Sequence, residues 1–300
     1  MNRRFHLGRL ATLLTLPALS ACSSGLNALK PSSTYVATVG VSYGPDPRHK
    51  LDVYRPSGKP PRGGWPVAVF FYGGSWHWGS RTEYTFAGEA LASRGVLALI
   101  ADYRLYPEVR YPGFLDDSAR ATGYALREAS KLGGNPQRVY VMGHSAGAYN
   151  AAMVALDERW LKAQGQSPAS LAGWIGLAGP YEFLPISNPQ AQVVFHHPDV
   201  PPGTQPIDYV KRDAPRAFLG AARSDHLVNP VRNTEQMAER LKSAGAPVEL
   251  KLYDGVDHVT LVASMAWSLR WMSSVLDDVS GFMLAEPATT PTTAAKSAAQ

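Results

Sequence analysis

The sequence predicts an α/β domain: a mostly parallel sheet covered by helices on both faces. Three observations carry this. Apolar runs such as Val67 to Tyr72 and Val96 to Ala101 are continuous rather than alternating, as in strands buried on both sides. Helix-length amphipathic patterns alternate with these runs. Gly143-His144-Ser145-Ala146-Gly147 stands directly between one such run, Val139 to Met142, and a small-residue helical stretch. With 300 residues, 45% of them hydrophobic, the chain is long enough for one large domain with a sizeable core.

In chain order, Tyr35 to Val41 and Lys50 to Tyr54 alternate apolar and polar residues, predicting a half-exposed antiparallel pair at a sheet edge. Gly44, Pro45, Asp46 and Pro47 form the turn between them. Buried strands are expected at Val67 to Tyr72, Val96 to Ala101, Val139 to Met142, Trp174 to Ala178 and Ala217 to Ala222, and a last strand at Val248 to Tyr253. Helices are expected at Thr82 to Ser93, Leu115 to Leu132, Ala146 to Lys162, Pro230 to Ala244 and Leu261 to Leu276. For the fourth, Asn229 is the N-cap, Pro230 the first helical residue and Gly245 the stop. Pro180 to Val210, with seven prolines and no clean period, predicts an irregular, lid-like insertion (180–210) over the carboxyl ends of the strands.

The ends read differently. Arg3, Arg4 and Arg9, an apolar run from Leu10 to Leu19, and Leu19-Ser20-Ala21-Cys22 have the form of a secretory signal peptide over 1–21. The run is too short for a permanent span. Leu-Ser-Ala-Cys resembles the lipobox of bacterial lipoproteins, in which the cysteine is lipidated and becomes the mature N-terminus. Cys22 is the sole cysteine, so it has no internal disulfide partner. The plainer alternative is a cleavable signal with an incidental cysteine. The lipobox reading makes a lipid bilayer a partner through Cys22, with 22–33 as a lipidated tether. It places the protein in the cell envelope, facing the periplasm, and Ser23 resembles outer-membrane sorting. The domain is expected over 34–280 and a tail over 281–300, where Ala285 to Gln300 has a disorder-type composition. Three leader arginines supply part of the formal charge of +5, which leaves about +2 for the mature chain and no nucleic-acid-binding balance.

Gly143 and Gly147 flank Ser145 as a nucleophile elbow requires: the turn is sharp, and strand and helix pass too close for side chains. A serine hydroxyl needs a histidine base oriented by a carboxylate. In the expected order Ser, acid, His, the base is His258, between the last strand and the last helix. Among the other histidines His226 competes best, although it adjoins the carboxylate required as its partner. The acid is Asp225, in the loop after the strand Ala217 to Ala222, with Asp257 as runner-up. The oxyanion hole is expected from Gly73 and Gly74 on the loop after Val67 to Phe71, with the amide of Ala146 as second donor. Trp76 and Trp78 are candidate walls of an acyl pocket.

Taken together, Gly73-Gly74-Ser75-Trp76, Asp102-Tyr103-Arg104-Leu105-Tyr106-Pro107, the Ser145 elbow and the late Asp and His resemble the α/β-hydrolase superfamily over Val36 to Leu276. The likeness is greatest to the carboxylesterase group around hormone-sensitive-lipase-like esterases, bacterial feruloyl-type esterases, kynurenine formamidase and prenylcysteine methylesterase. The resemblance implies the α/β-hydrolase fold, catalytic Ser145, Asp225 and His258, and Gly73, Gly74 and Ala146 at the oxyanion. It implies a bracing role for 102–107. Many relatives carry His before the Gly-Gly pair, where this chain has Tyr72. The expected activity is hydrolysis of small-molecule carboxylic esters through an acyl-enzyme, with no metal and no cofactor. Two alternatives stand beside it: an amide-directed hydrolase using the same residues, and a non-catalytic hydrolase-like envelope binding protein.

Overall fold

A computed structural model describes residues 24–285. Eight strands form one sheet: β1 (Tyr35–Ser42), β2 (Lys50–Pro56), β3 (Trp65–Phe71), β4 (Leu97–Ala101), β5 (Gly134–His144), β6 (Gly173–Leu177), β7 (Ala217–Ala222) and β8 (Val248–Tyr253). Their spatial order is β1-β2-β4-β3-β5-β6-β7-β8. From β4 to β8 every pairing is parallel, while β1 and β2 add an antiparallel edge. The helices are α1 (Thr85–Ser93), α2 (Gly113–Glu128), α3 (Ala146–Leu156), α4 (Glu158–Lys162), α5 (Pro189–Val194), α6 (Gln236–Ala244), α7 (His258–Ala263) and α8 (Val275–Leu284). α1 packs on β2 and β4 and meets α8, whereas α2, α3 and α4 pack together against the central strands. Because β3, β5, β7 and β8 are parallel, their carboxyl ends open toward one edge of the sheet.

β3, β4, β6 and β7 are buried along their whole length, which accounts for their unbroken apolar sequence. β2 departs from the half-exposed reading. Leu51 to Tyr54 are all buried because β4 pairs on one side and α1 packs against it, so only β1 stays open. Asp52, buried at 2% exposure, answers the Gly40 amide at 2.7 Å and Arg81 Nε at 2.8 Å.

Three expected helices are divided. The pattern Ala146 to Lys162 breaks at Asp157, whose extended backbone ends α3 and whose carboxylate accepts from the Arg159 amide to start α4. Pro230 to Ala244 opens with a π-helical turn, Val231–Glu235, before α6. Asn229 Oδ1 still accepts from the Arg232 amide, and Gly245 closes α6 in the left-handed region at φ 79°. Leu261 to Leu276 becomes α7, a 3-10 helix (Trp267–Met272) and α8, because Ala266 and Ser273 are extended. α7 also starts earlier than expected, at an Asp257–Thr260 capping box. α8 runs to Leu284 with Phe282 buried, so the first residues of the expected tail are helical. The remainder of the tail from 286, the signal sequence and Cys22 lie outside the described residues.

The segment expected to be a tether folds back on the domain. Residues 24–28 form a helical turn. Asn27 donates to the carbonyls of Thr82 and Glu83, at 3.1 Å each, and accepts from the Phe86 amide at 3.0 Å. That satisfies backbone groups at the start of α1, which has no other side-chain cap.

Where β3, β5 and α3 cross, a Cβ on Gly143 would overlap the Gly147 carbonyl, and one on Gly147 would overlap the carbonyls of Phe71 and Tyr72. Gly147→Ala is therefore expected to cost about 3 kcal/mol or more, as overpacking against rigid backbone does, and to lower Tm by roughly 10 °C. Gly281→Ala, in α8 with open space around it, is expected to leave Tm unchanged or raise it. Thermal unfolding of the two variants checks this pair.

Candidate active site

Ser145 sits between β5 and α3 at φ 54°, ψ −121°, a conformation that L-residues rarely adopt. Its amide donates to the Leu177 carbonyl of β6 at 2.8 Å, which pins the turn from the neighbouring strand. The hydroxyl meets His258 Nε2 at 2.9 Å, and His258 Nδ1 meets Asp225 Oδ2 at 2.7 Å. With Nδ1–H donated to the carboxylate, Nε2 is left to accept the serine proton.

Each member is placed by a different element. Asp225 follows β7 and accepts from the amides of Leu227 and Val228, both at 2.9 Å. Burial pushes its carboxyl upward, but the His258 hydrogen bond and charge, with those two amides, hold it below the ordinary carboxylate range. His258 opens α7. Asp257, the runner-up acid, is taken up elsewhere: its carboxylate accepts from the amides of Val259 and Thr260 as the helix cap. His226 has no place in the chain of hydrogen bonds and lines the cleft beside Ser145.

On the oxyanion side, Ala146 is the first residue of α3, so its amide is free of the helix ladder and lies beside the hydroxyl. Gly73 passes so close that a Cβ on it would lie 3.0 Å from the Ser145 Cβ. Gly74, at φ 127°, turns the loop back so that its carbonyl accepts from the amides of His77 and Trp78. Ser75 and Trp76 also have positive φ, 50° and 60°, a concentration of backbone strain next to Ser145. Trp76 lines the cleft, held by its Nε1–H to Asn150 Oδ1 at 3.0 Å and by ring contacts to Tyr149 and Phe195. Trp78 does not. Its indole packs against Gly74, so only one of the two expected wall residues serves as one.

Tyr72, where many relatives carry His, supports this loop from behind. Its ring stacks on Tyr103 at 4.7 Å, its hydroxyl donates to Asp102 Oδ1 at 3.1 Å and accepts from Arg48, and its carbonyl accepts from Tyr103 Oη at 2.7 Å. Asp102 in turn holds the Arg81 amide and guanidinium, and Arg104 clasps buried Asp117. The 102–107 stretch is thus a brace under the Gly-Gly loop.

The insertion is more ordered than its composition suggests. It carries α5 and a 3-10 turn (Pro206–Tyr209), and buries Tyr181, Val194 and Phe195. Phe195 packs on Trp76, Phe114, Tyr149 and Phe183, which roots the roof in the core. From the other side Asn233, in the π-helical turn, accepts the amides of Tyr181 and Glu182 at 2.7 and 3.0 Å, while Arg232 pairs with Glu182. Roof, Gly-Gly loop and Asp225 loop enclose a cleft of about 300 Å³. Trp76, Phe183, Ile186 and Ala191 supply its apolar wall, and Asn188, Asn229 and Arg232 its polar one.

Sequence reasoning passed over two residues here. Nothing in the local pattern marks Asn233, since its function depends on the π-turn. His144, set aside as a candidate base, is buried beneath the site, with Nε2 2.8 Å from the His258 carbonyl and its ring 4.9 Å from that of His258. The carbonyl must be met by an N–H, so Nε2 carries a proton, while the buried Nδ1 meets no donor or acceptor among the described residues. Burial, reinforced by the neighbouring His258, lowers its pKa to about 3.

Comparison with known proteins places this geometry in context. The BD-FAE family model matches residues 51–241. The chain is 30% identical over 244 residues to a probable isoprenylcysteine alpha-carbonyl methylesterase of Oryza sativa subsp. japonica, covering 74% of this chain and 56% of that protein. It is 26% identical to kynurenine formamidase of Danio rerio, covering 82% of each. The chain spans little more than half the length of the plant methylesterases it matches. Among solved structures, esterase B from Lactobacillus rhamnosis superposes with a TM-score of 0.73 at 18% identity, covering 90% of this chain and 93% of that one. That likeness shows the α/β-hydrolase fold.

The neutral burial of His144 gives a pH signature. Unfolding frees the imidazole to protonate below about 6.5, whereas the folded chain resists until about 3, so stability is lost as pH falls through that window. From pH 7 to pH 5 this residue is expected to remove about 2 kcal/mol. Urea unfolding at both pH values should show a smaller loss for His144→Asn, and equal losses would refute the assignment.

Proposed function

The chain belongs to the BD-FAE family, and on that premise we propose that it hydrolyses carboxylic esters through an acyl-enzyme on Ser145. The observation that carries this is the unbroken run of hydrogen bonds from Ser145 Oγ through His258 to Asp225, starting at a strained elbow. As Oγ attacks the ester carbonyl, His258 Nε2 takes the hydroxyl proton. The carbonyl oxygen becomes an oxyanion facing the amides of Ala146 and the Gly73-Gly74 loop, where one donor is worth about 3 kcal/mol. Collapse of the tetrahedral species breaks the C–O bond, and His258 returns the proton to the departing alcohol. Water then attacks the acyl group with His258 again as base, releasing the acid and regenerating Ser145. Asp225, kept ionised by its hydrogen bonds, fixes the tautomer and balances the transient imidazolium. A cleft of this size, with one apolar wall, suits a short acyl group better than a fatty one.

An amide leaving group uses the same residues, and the likeness to a kynurenine formamidase over four-fifths of both chains keeps it in view. Matched aryl acetate and anilide substrates separate the two, and an ester preference is expected. The leader and lipobox further support a protein held on an envelope membrane through lipidated Cys22 and facing the periplasm. Among the described residues no helix is long and apolar enough to cross a membrane.

A fluorophosphonate probe is expected to label the wild type and not Ser145→Ala, which should also lose ester turnover. Asp225→Asn is expected to lower kcat by about 10⁴-fold, as when the orienting carboxylate of a triad is lost, while Asp257→Asn stays within about threefold, since the change only weakens a helix cap. Equal losses in the two aspartate variants would reject the acid assignment. Cys22→Ser is expected to release the protein from the membrane fraction or block its processing, and an unchanged membrane fraction would reject the anchor.

A further inference from the structure

We propose that the 3-10 helix Trp267–Met272 rests on the lipid surface that holds Cys22, with Trp267 and Trp271 seated at the headgroup level. The inference builds on the lipid-anchor reading above. It starts from two indoles a few residues apart that the fold leaves in solvent, Trp267 at 55% and Trp271 at 81% exposure. Between them, Arg270 turns inward and pairs with buried Glu89 of α1 at 2.6 Å, so the helix is fixed to the domain while its indoles face out.

The helix that carries them docks beside the point where the chain enters. Asn27 is bound to Thr82, Glu83 and the Phe86 amide, and Thr34 Oγ1 donates to the same Glu89 at 3.1 Å. Phe86 and Glu89 are three residues apart on α1, roughly 5 Å along its axis. The docking point of the N-terminal segment and that of the tryptophan-bearing helix are therefore neighbours. Four residues separate Cys22 from Asn27. Even fully extended, that stretch reaches no more than about 18 Å. A twelve-residue flexible tether would let the domain tumble above the membrane, but the docked Asn27 removes most of that freedom. A lipid on Cys22 then brings the α1 side within a short reach of the bilayer. Tryptophan is the side chain that partitions best to that boundary, its ring among acyl carbons and its N–H toward water. This orientation presents the catalytic cleft at a fixed tilt to the membrane, since His258 and Trp267 lie on one continuous stretch from α7 into the 3-10 helix.

The test uses the lipidated full-length protein reconstituted in phosphatidylethanolamine and phosphatidylglycerol vesicles, some with brominated acyl chains. Brominated lipid is expected to quench part of the wild-type tryptophan emission and to blue-shift the rest. Trp267→Ala/Trp271→Ala is expected to lose that quenched component while its turnover of a water-soluble short ester is unchanged. Equal quenching in both proteins, or none in a wild type that still co-sediments with vesicles, overturns the tryptophan contact and leaves the anchor standing. Failure of the wild type to co-sediment at all overturns both. A detergent-resistant dimer that the double variant abolishes assigns the face to a second copy instead and also overturns the proposal.

Discussion

Everything at the site depends on how closely β3 and α3 can pass. Gly147 lies against the carbonyls of Phe71 and Tyr72, and Gly143 against the Gly147 carbonyl, with no room for a single methyl at either place. That approach puts the Gly73 backbone beside Ser145 and aims the first amide of α3 at the same point. It also forces Ser145 into its positive-φ turn, a cost of about 1–3 kcal/mol that the surrounding sheet must offset. The Leu177 carbonyl on the serine amide and the Tyr72, Tyr103 and Asp102 brace under the loop are part of that offset. The geometry of the nucleophile is thus enforced by main-chain packing, and the histidine and aspartate are brought to it by loops from β8 and β7.

Those loops are held with comparable economy. Asp225 is oriented by two amides of its own loop, which leaves one carboxylate oxygen for His258. His258 is held from the side by Asp225 and through its backbone carbonyl by His144. A neutral imidazole under His258 avoids placing a second positive charge 4.9 Å from the ring that the proposed acyl transfer would make cationic. Two histidines of one chemistry thereby take different roles because one bonds a backbone carbonyl while the other bridges a carboxylate and a hydroxyl.

Strand positions and the Ser, Asp, His order were legible because they depend on local composition and chain order: a strand buried on both faces must be apolar throughout, and an elbow must carry small residues. Asp257 differs from Asp225 in the same way, since a carboxylate one residue before a helix start is claimed by that helix's amides. What was not legible depends on tertiary partners. Tyr72 gains its meaning only when Asp102 and Arg48 arrive from other strands and loops, and β2 is buried only because β4 and α1 cover it. The division of Leu261 to Leu276 had no breaker residue to announce it; Arg270 reaching Glu89 accompanies the tighter 3-10 path that amphipathic periodicity could not foresee. The proline-rich insertion misled by composition, because its order comes from Phe195 finding an aromatic nest on the core.

The π-helical turn at Val231–Glu235 has a consequence for how such a cleft can change over evolutionary time. Within nine residues the chain carries Asp225, which bonds His258, and Asn233, which holds the roof at Tyr181 and Glu182. One inserted or deleted residue in that stretch would rotate one of the two out of register with the other. Roof and acid are therefore coupled through one register. Roof side chains away from Asn233 and from the Phe195 nest are the ones whose exchange would leave the His258–Asp225 pair undisturbed.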